Sequence, residues 1–195
     1  MARIAGSDST KTRALICEKA LGLSAQTGFE ALTMRSLAAA AGVQVAAIYH
    51  YFLDKQTLLA SLLSVHFDHL LDAASTLPRS GPARDRLLSF ARFHIQYHAT
   101  HRTESLLAAQ ELRSLSRDNA RLILPKRQAY ERILRQILTD GMADKSFSVA
   151  DLGLTSAAML AMLTEIAIWF RPGGKSTLDN VSDAFASAAL KMVAV

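Results

Sequence analysis

The sequence contains few of the residues that cross-link or stiffen a polypeptide. Its 195 residues include one cysteine, four prolines and one tryptophan. The single cysteine, Cys17, excludes an internal disulfide and favours a reducing compartment, which we expect to be the cytoplasm. The scarcity of proline, together with runs of Ala and Leu, favours an all-α fold.

Long apolar runs are also missing. The longest apolar stretch, near residues 159–170, contains Thr164 and Glu165 and is too short to span a bilayer, so we expect no membrane partner. No basic start is followed by a long apolar run, and no signal peptide is expected. Half of the residues are apolar and 20% are charged, a balance that argues against disorder.

The charge is basic overall, but the surplus is concentrated in one part of the chain. The formal net charge is +5, and residues 70–135 alone carry 12 Lys and Arg against 6 Asp and Glu. Residues 1–69 have a net charge of +1 and residues 136–195 one of −2. A surface that contacts DNA needs only a few placed donors, so the small charge of residues 1–69 does not exclude one.

Residues 33–52, TMRSLAAAAGVQVAAIYHYF, predict two short helices joined by a tight turn. The Thr33 hydroxyl can cap a first helix over residues 34–40. Gly42 can adopt a left-handed backbone without steric cost and is expected to end it. A second helix follows over residues 44–50. Two short helices with a glycine turn and a shared apolar side form a helix-turn-helix, whose second helix can enter the DNA major groove.

Capping signals place one long helix on each side of this motif. Ser9 or Thr10 can cap the first helix, which is expected to end at Gly28. Asp54 can cap a helix that begins at Lys55 and reaches about residue 74.

The clearest break in the chain is TLPRSGP, residues 76–82, where two prolines and a glycine predict a turn or linker. We therefore expect two all-α domains. A DNA-binding domain is predicted over residues 9–69, and a larger helical domain over residues 76–195.

The larger domain is predicted to be helical throughout. Three of its helices are expected over residues 84–100, 103–115 and 118–140. Asp118 can cap the third of these, Gly141 can end it, and Pro125 is expected to kink or break it.

Two capping-box spacings predict the last two helices. Ser148 with Asp151 opens a helix to about Phe170, and Ser176 with Asp179 opens the final one. The first of the two has almost no polar face, and a helix that is apolar all round must be buried. We expect the last two helices to pack against the same helices of a second copy, as a four-helix homodimer interface. A fully intramolecular core is the alternative.

The first 60 or so residues resemble the TetR family of bacterial transcriptional repressors. The run GVQVAAIYHYFLDKQTLL is the most specific part of the match. The residues that carry the resemblance are Gly28, Phe29, Thr33, Leu37, Ala41, Gly42, Val43, Ile48, Tyr49, Tyr51, Phe52, Lys55, Leu58 and Leu59. The resemblance implies a three-helix DNA-binding domain followed by a larger helical domain that binds a ligand and dimerises.

The resemblance also implies roles for residues of the motif on DNA. Tyr49 and His50 match the family's phosphate contacts, and both side chains can donate to phosphate oxygen. Gln44 is placed to pair with adenine, and Val45 and Ala46 to touch a thymine methyl group. Further backbone contacts are expected from Thr33, Arg35 and Lys55, although Thr33 serves equally well as a cap alone.

A small-molecule effector is expected in the larger domain, because in this family such a ligand shifts the protein away from its DNA-binding state. Each candidate for lining its cavity is also a reasonable core residue. The candidates are Phe93, Tyr97, Leu106, Leu107, Gln110, Leu138, Met162 and Trp169. Arg113 is a further ligand-binding candidate, for its charge. No cofactor is expected.

A second resemblance concerns the effector. The stretches ELRSLSRDN and IWFRPGGKST look like a TetR branch that senses acyl-CoA esters and controls lipid, sterol or branched-acid catabolism. A CoA ester carries several negative charges that arginines can meet. The arginines in question are Arg113, Arg117, Arg121 and Arg127. A solvated basic face is the alternative.

The sequence therefore predicts a transcriptional regulator and no enzyme. We expect a ligand-released repressor that binds a palindromic operator as a homodimer, with half-sites about 34 Å apart or a multiple of that. One alternative is an architectural DNA-binding protein without a ligand. The other is a helical metal-dependent enzyme that uses His94, His98 and His101, or the pair His66 and His69. Against it, HExxH, CxxC, Gly-rich phosphate-loop and nucleophile-elbow motifs are absent from the sequence.

Overall fold

The computed structural model describes residues 5–194, with side chains from residue 9 onward. Every regular element within these residues is helical, which confirms the all-α prediction. The helices are α1 Ala5–Thr27, α2 Met34–Ala41, α3 Val45–Tyr51, α4 Lys55–Ala74, α5 Ala83–Thr100, α6 Arg102–Glu111, a 3-10 turn Leu112–Ser114, α7 Arg117–Ala143, α8 Leu152–Thr164, α9 Ile166–Trp169 and α10 Leu178–Lys191.

The chain forms two compact units. The first contains the described residues up to His66 together with Leu106–Ile123, and the second contains Phe67–Ser105 with the described residues from Leu124 onward. The segment 106–123 thus lies with the helix-turn-helix, an arrangement that nothing in the local sequence indicates. The predicted domain limits of 9–69 and 76–195 stay a prediction.

The first unit is built on α1, which packs against α2, while α2 packs against α3. Ile16, Leu37 and Ile48 supply fully buried side chains from these three helices. Complete burial of one such aliphatic side chain stabilises a fold by roughly 1.5–3 kcal/mol. The beginning of α1 at Ala5 corrects the prediction that Ser9 or Thr10 caps this helix. Inside a helix each costs only about 0.5 kcal/mol relative to alanine, and neither ends one.

The second unit is organised around α5, which packs against α8, α9 and α10. Leu87, Phe90 and Ile95 of α5 are fully buried. The buried side of α10 consists of small side chains, among them Ser182, Ala186 and Ala189. Such small side chains allow helix backbones to approach closely.

Helix α7 differs from its prediction at both ends. It begins at Arg117, and the backbone N–H of Asn119 donates to Ser116 Oγ at 3.3 Å, so Asp118 lies within the first turn and is not the cap. The helix continues past Gly141 to Ala143. Gly141 is buried, and a Cβ at this position would overlap the Phe147 ring. This glycine therefore provides room for an aromatic ring and does not end a helix.

Pro125 does not break α7. Proline has no N–H, so the carbonyl of Arg121 loses its helical donor. Both residues are exposed, and water can satisfy that carbonyl. Ile123, before Pro125, is buried in the first unit, and Tyr130, after it, is buried in the second.

The capping of the last helices also differs from the prediction. Asp151 alone caps α8, where its Oδ1 accepts from the Leu154 N–H at 2.8 Å, whereas the Ser148 N–H donates to the carbonyl of Val193. Thr177 and not Ser176 caps α10. In both cases the capping residue lies one to three positions nearer the helix than the predicted one. It has the extended backbone that a cap requires.

Two further helix predictions were wrong in detail. The helix expected over 103–115 is α6 followed by a 3-10 turn, and the one expected to reach Phe170 is divided at Glu165 into α8 and α9. By length and composition alone, the 18 residues Leu152–Trp169 are apolar enough to cross a membrane. The apolar stretch identified from the sequence covers only residues 159–170. Only 28% of that segment is buried.

Candidate functional site

Helix α2 of the helix-turn-helix is fixed by hydrogen bonds at both of its ends. Thr33 caps α2 reciprocally, because the Ser36 N–H donates to Thr33 Oγ1 at 3.0 Å and the Thr33 N–H donates to Ser36 Oγ at 3.1 Å. Gly42 ends the helix at φ 65° and ψ 29°, a left-handed conformation that glycine adopts without strain. Both features confirm the predicted turn.

Helix α3 has one buried side and one solvent side. Ile48 is fully buried. The residues predicted to contact DNA from this segment are all exposed: Gln44, Val45, Ala46, Tyr49 and His50. Tyr49 is 51% exposed, and the His50 ring packs edge-on against Tyr51 at a centroid distance of 5.2 Å. An exposed phenol in a helix this short has little packing role, and its hydroxyl is free to face a phosphate.

The three other predicted DNA contacts differ in how they are engaged. Arg35 is exposed on the first turn of α2. The Thr33 hydroxyl is occupied by its cap. The Lys55 ammonium donates to the Glu30 carbonyl at 2.6 Å and lies over the Phe29 ring, 5.1 Å from its centroid. Lys55 thus ties the beginning of α4 to the α1–α2 link.

Gln56 holds the 3-10 turn and the start of α7 against α4, a contact that the sequence did not predict. Its amide donates to the Ser114 carbonyl at 2.9 Å and accepts from the Ser116 N–H at 2.8 Å. Its backbone carbonyl accepts from the Asn119 side chain at 3.1 Å. These bonds explain why segment 106–123 belongs to the first unit. Glutamine on a helix surface gives no local signal of such a role.

The predicted ligand residues fall into two separate groups. Gln110 and Arg113 lie in the first unit and are exposed. Phe93, Tyr97, Met162 and Trp169 lie in the second. Within that unit the Phe93 and Tyr97 rings face each other at 5.8 Å. Trp169 is 47% exposed and stacks on Phe185 at 5.8 Å, so it lies on an outer surface of the monomer.

A buried polar cluster links three helices of the second unit. His94 of α5 is 2% exposed. Its Nδ1 lies 3.1 Å from the phenol oxygen of Tyr130 on α7, and its Nε2 lies 3.0 Å from Thr164 Oγ1 on α8. The His98 ring stacks on His94 at a centroid distance of 3.9 Å. From the sequence, these histidines are candidates only for a metal site, in one of the alternative functions.

Burial sets the protonation of this cluster. It lowers the pKa of His98 to about 4, and with the neighbouring His98 it lowers the pKa of His94 well below 6.5. Burial likewise raises the pKa of the Tyr130 phenol well above 10. At neutral pH the imidazoles are therefore uncharged, each with one N–H and one acceptor nitrogen.

The geometry argues against the metal-site alternative. Both ring nitrogens of His94 are engaged by hydroxyl groups, and the His94 and His98 rings are parallel within 5°, so they do not converge on a shared ion. Among the residues that the structure describes, no group of three or more His, Cys, Asp or Glu side chains is arranged to hold a metal.

The four arginines proposed to bind a CoA ester differ in whether they form ion pairs within the protein. Arg121 pairs with Asp118 at 3.1 Å, and Arg127 pairs with Glu131 at 2.7 Å. Arg113 and Arg117 are exposed and form no ion pair within the described residues. These two keep their charge available for an anionic group.

Two family models match this chain. One, of bacterial regulatory proteins of the tetR family, matches residues 16–62 and contains the helix-turn-helix. The other, a tetracyclin repressor-like C-terminal domain, matches residues 80–193, more than half of the chain. The chain belongs to the TetR family. TetR regulators are DNA-binding transcription factors and not enzymes, which decides against the enzyme alternative.

Individual TetR proteins match over nearly the whole chain. The HTH-type transcriptional repressor KstR2 of Rhodococcus jostii RHA1 is 26% identical over 182 residues, which cover 91% of this chain and 89% of KstR2. A tetR-family regulatory protein of known structure from Rhodococcus RHA1 is 25% identical, with a TM-score of 0.89 and coverage of 94% and 97%. The structure of AibR in complex with isovaleryl coenzyme A and operator DNA has a TM-score of 0.85 at 21% identity, with coverage of 92% and 98%.

Proposed function

We propose that this TetR protein is a repressor that binds a palindromic operator as a homodimer and is released by a small molecule. Its DNA-binding domain is residues 9–69, and its effector-binding and dimerisation domain is residues 76–195. The protein acts in the cytoplasm, where the DNA is. The observation that carries the proposal is the solvent-exposed side of α3, formed by Val45, Ala46, Tyr49 and His50 with Gln44 just before the helix.

On DNA, Tyr49, His50 and Arg35 contact the phosphate backbone and set the position of α3. Gln44, Val45 and Ala46, at the front of α3, contact base edges. A hydrogen bond from a neutral donor to a charged phosphate contributes about 1.5–3 kcal/mol, or roughly tenfold to a hundredfold in affinity. Thr33 and Lys55 contribute through backbone N–H groups, because their side chains are engaged within the protein.

The test of this role is operator selection from random DNA, followed by binding measurements at one fixed salt concentration. We expect a palindromic site that binds two chains. Tyr49→Phe, which removes one hydroxyl, weakens binding about tenfold or more. Tyr51→Phe, at a half-buried position of the same helix, is the matched control and leaves affinity within a few fold. An asymmetric single site, or equal affinity of the two variants, contradicts the proposal.

The dimer forms through an apolar surface on the last helices. Leu154, Ile168 and Trp169 are 72%, 49% and 47% exposed in the monomer. Ala157, Ala158 and Ala161, also exposed, lie on the same side of α8. The Trp169–Phe185 stack joins α10 to this surface. An exposed apolar area this continuous is typical of a protein interface, and a second copy covers it.

Sedimentation velocity tests the interface. Leu154→Arg introduces a charge into the apolar surface and converts the dimer to a monomer at micromolar concentration. Leu122→Arg introduces the same charge at a 66% exposed leucine of α7, outside the surface, and leaves the dimer intact. A wild-type monomer, or a dimer that tolerates Leu154→Arg, contradicts this interface.

The effector that we propose is an acyl-CoA ester. The unpaired guanidinium groups of Arg113 and Arg117 suit its phosphates. AibR, whose fold this chain shares, was crystallised with isovaleryl coenzyme A. Phe93, Tyr97 and Met162, all in the second unit, remain our candidates for lining an apolar ligand cavity there. Trp169 belongs with the dimer surface and contributes only if the ligand extends there.

Titration of acyl-CoAs against the operator complex tests the effector class. Medium- and long-chain esters are expected to release DNA, and Arg113→Gln with Arg117→Gln to raise the concentration required. If the esters neither bind nor release DNA while an uncharged or cationic lipophile does, the acyl-CoA proposal is wrong.

A further inference from the structure

Thr164 behaves differently from three other threonines in the helices of this protein. Thr27, Thr100 and Thr139 each donate a hydroxyl proton to the carbonyl four residues before them, at 2.8–3.2 Å. This local bond is the ordinary choice of a helical threonine. Among the described residues, the only hydrogen-bond contact of the Thr164 hydroxyl is with His94 Nε2 of another helix. The Thr164 side chain therefore lacks the usual bond to a carbonyl of its own helix and is held by a side chain of α5.

The cluster of Tyr130, His94 and Thr164 contains more donors than it uses. The phenol, the neutral imidazole and the threonine hydroxyl each carry one transferable proton, which gives three donors. Only two contacts join the groups, Tyr130 to Nδ1 and Thr164 to Nε2. Whichever tautomer His94 adopts, one hydroxyl proton at one end of the row has no acceptor in the described part of the chain.

The chemistry of the groups favours the Thr164 end for this surplus proton. A phenol is a stronger acid than an alkyl hydroxyl, so Tyr130 donates to Nδ1 and the Nε2–H donates to Thr164 Oγ1. Tyr130 is 4% exposed and His94 is 2% exposed, whereas Thr164 is half-buried. The free proton therefore lies at the end of the row that a ligand can reach.

A buried hydroxyl group without a partner lies on α6 of the same unit. Ser105 is 2% exposed, and its Oγ forms no hydrogen bond within the residues that the structure describes. Its backbone N–H donates to His101, which follows His98 by three residues. An unpaired buried hydroxyl group costs free energy, and Ser105 shows that this unit retains a polar group that the described residues do not satisfy.

Building on the effector-binding role proposed above, we propose that the Thr164 hydroxyl, oriented by His94 and Tyr130, donates a hydrogen bond to a neutral carbonyl oxygen of the effector. For an acyl-CoA this is the thioester carbonyl or a keto group of the acyl part. The row carries no charge at neutral pH, so a carboxylate would be desolvated beside it without a counter-charge. Thr164 is a binding residue, and His94 and Tyr130 are positioning residues.

Two matched pairs of probes test this contact. The first pair is decanoyl-CoA and its thioether analogue S-decyl-CoA, which lacks only the carbonyl oxygen. The second pair has the same acyl and alkyl chains on N-acetylcysteamine, which lacks the nucleotide and its phosphates. Affinities are measured by calorimetry on the full-length protein. The wild type is expected to bind each carbonyl compound about five- to tenfold more tightly than its thioether.

Variants at Thr164 identify the donor. Thr164→Val removes the hydroxyl at nearly constant volume and abolishes the preference for the carbonyl compounds. Thr164→Ser keeps a hydroxyl and retains the preference. Tyr130→Phe reduces it, because His94 is no longer held in one tautomer. Thr139→Val removes a hydroxyl that donates within α7, and it serves as the control with unchanged preference.

The outcomes separate this contact from the effector class. If the N-acetylcysteamine thioester is preferred while CoA adds no affinity, the acyl-CoA proposal fails and the Thr164 contact stands. If CoA compounds bind with equal affinity for thioester and thioether, the effector class stands and the Thr164 contact is refuted. Persistence of the preference in Thr164→Val also refutes it, as does failure of every carbonyl probe to bind.

Discussion

Acidification from pH 7 to pH 5 is expected to destabilise this protein through its buried histidines. Burial lowers the pKa of His98 to about 4 in the folded chain, against 6.5 for an ordinary histidine. Between these values the unfolded state binds a proton that the folded state does not bind. Stability therefore falls as the pH decreases through 6.5, and it is fully retained only above that value.

The two pKa values give the size of the effect. Between pH 7 and pH 5, the extra proton uptake by unfolded His98 lowers the free energy of unfolding by about 2 kcal/mol. For a chain of this length that corresponds to a fall of roughly 4–8 °C in melting temperature. His94, whose pKa is lowered by burial and by the adjacent His98, acts in the same direction.

Urea unfolding at pH 5, 6 and 7, at one fixed protein concentration, measures this loss. His98→Gln keeps an N–H that can donate to the His94 carbonyl, as His98 Nδ1 does at 2.9 Å. The variant is expected to lose about 2 kcal/mol of the pH dependence. His69→Gln, at an exposed position, is the matched control. If His98→Gln shows the same fall between pH 7 and pH 5 as the wild type, the buried, uncharged histidine is not its cause.

Three further substitutions test particular features of the fold. Gly42→Ala places a Cβ at φ 65° and is expected to cost about 1–2 kcal/mol of stability in chemical denaturation, whereas Gly22→Ala, within α1 and with open space around it, serves as a neutral or stabilising comparison. Gly141→Ala drives a methyl group into the Phe147 ring and is expected to cost about 1–3 kcal/mol, so an unchanged urea midpoint would contradict that packing. Gln56→Ala removes two side-chain hydrogen bonds and is expected to increase amide hydrogen exchange in segment 112–119. The free energy of local opening is expected to fall by about 1–2 kcal/mol. Equal exchange in wild type and variant would show that Gln56 does not hold this segment.

The helix-turn-helix was predictable because its signals are local. Thr33 and Gly42 act on backbone within four residues of themselves, and the apolar spacing that buries Leu37 and Ile48 repeats within one or two helical turns. The all-α class followed from composition in the same way. Capping failed as a guide where several Ser, Thr and Asp residues lay close together, at Ser148 and Asp151 or at Ser176 and Thr177, because each can cap and only the backbone conformation chooses among them.

The sequence by itself determined which segments are helical and which side of α3 faces outward, since both depend on neighbours along the chain. Only the tertiary structure decided that Gln56 joins α4 to segment 114–119, that Gly141 makes room for Phe147, and that His94 lies between Tyr130 and Thr164. These partners are 36 to 70 residues apart in the histidine cluster, and no periodicity relates them. A hydrogen bond between distant side chains depends on how helices pack, and packing is a property of the whole core.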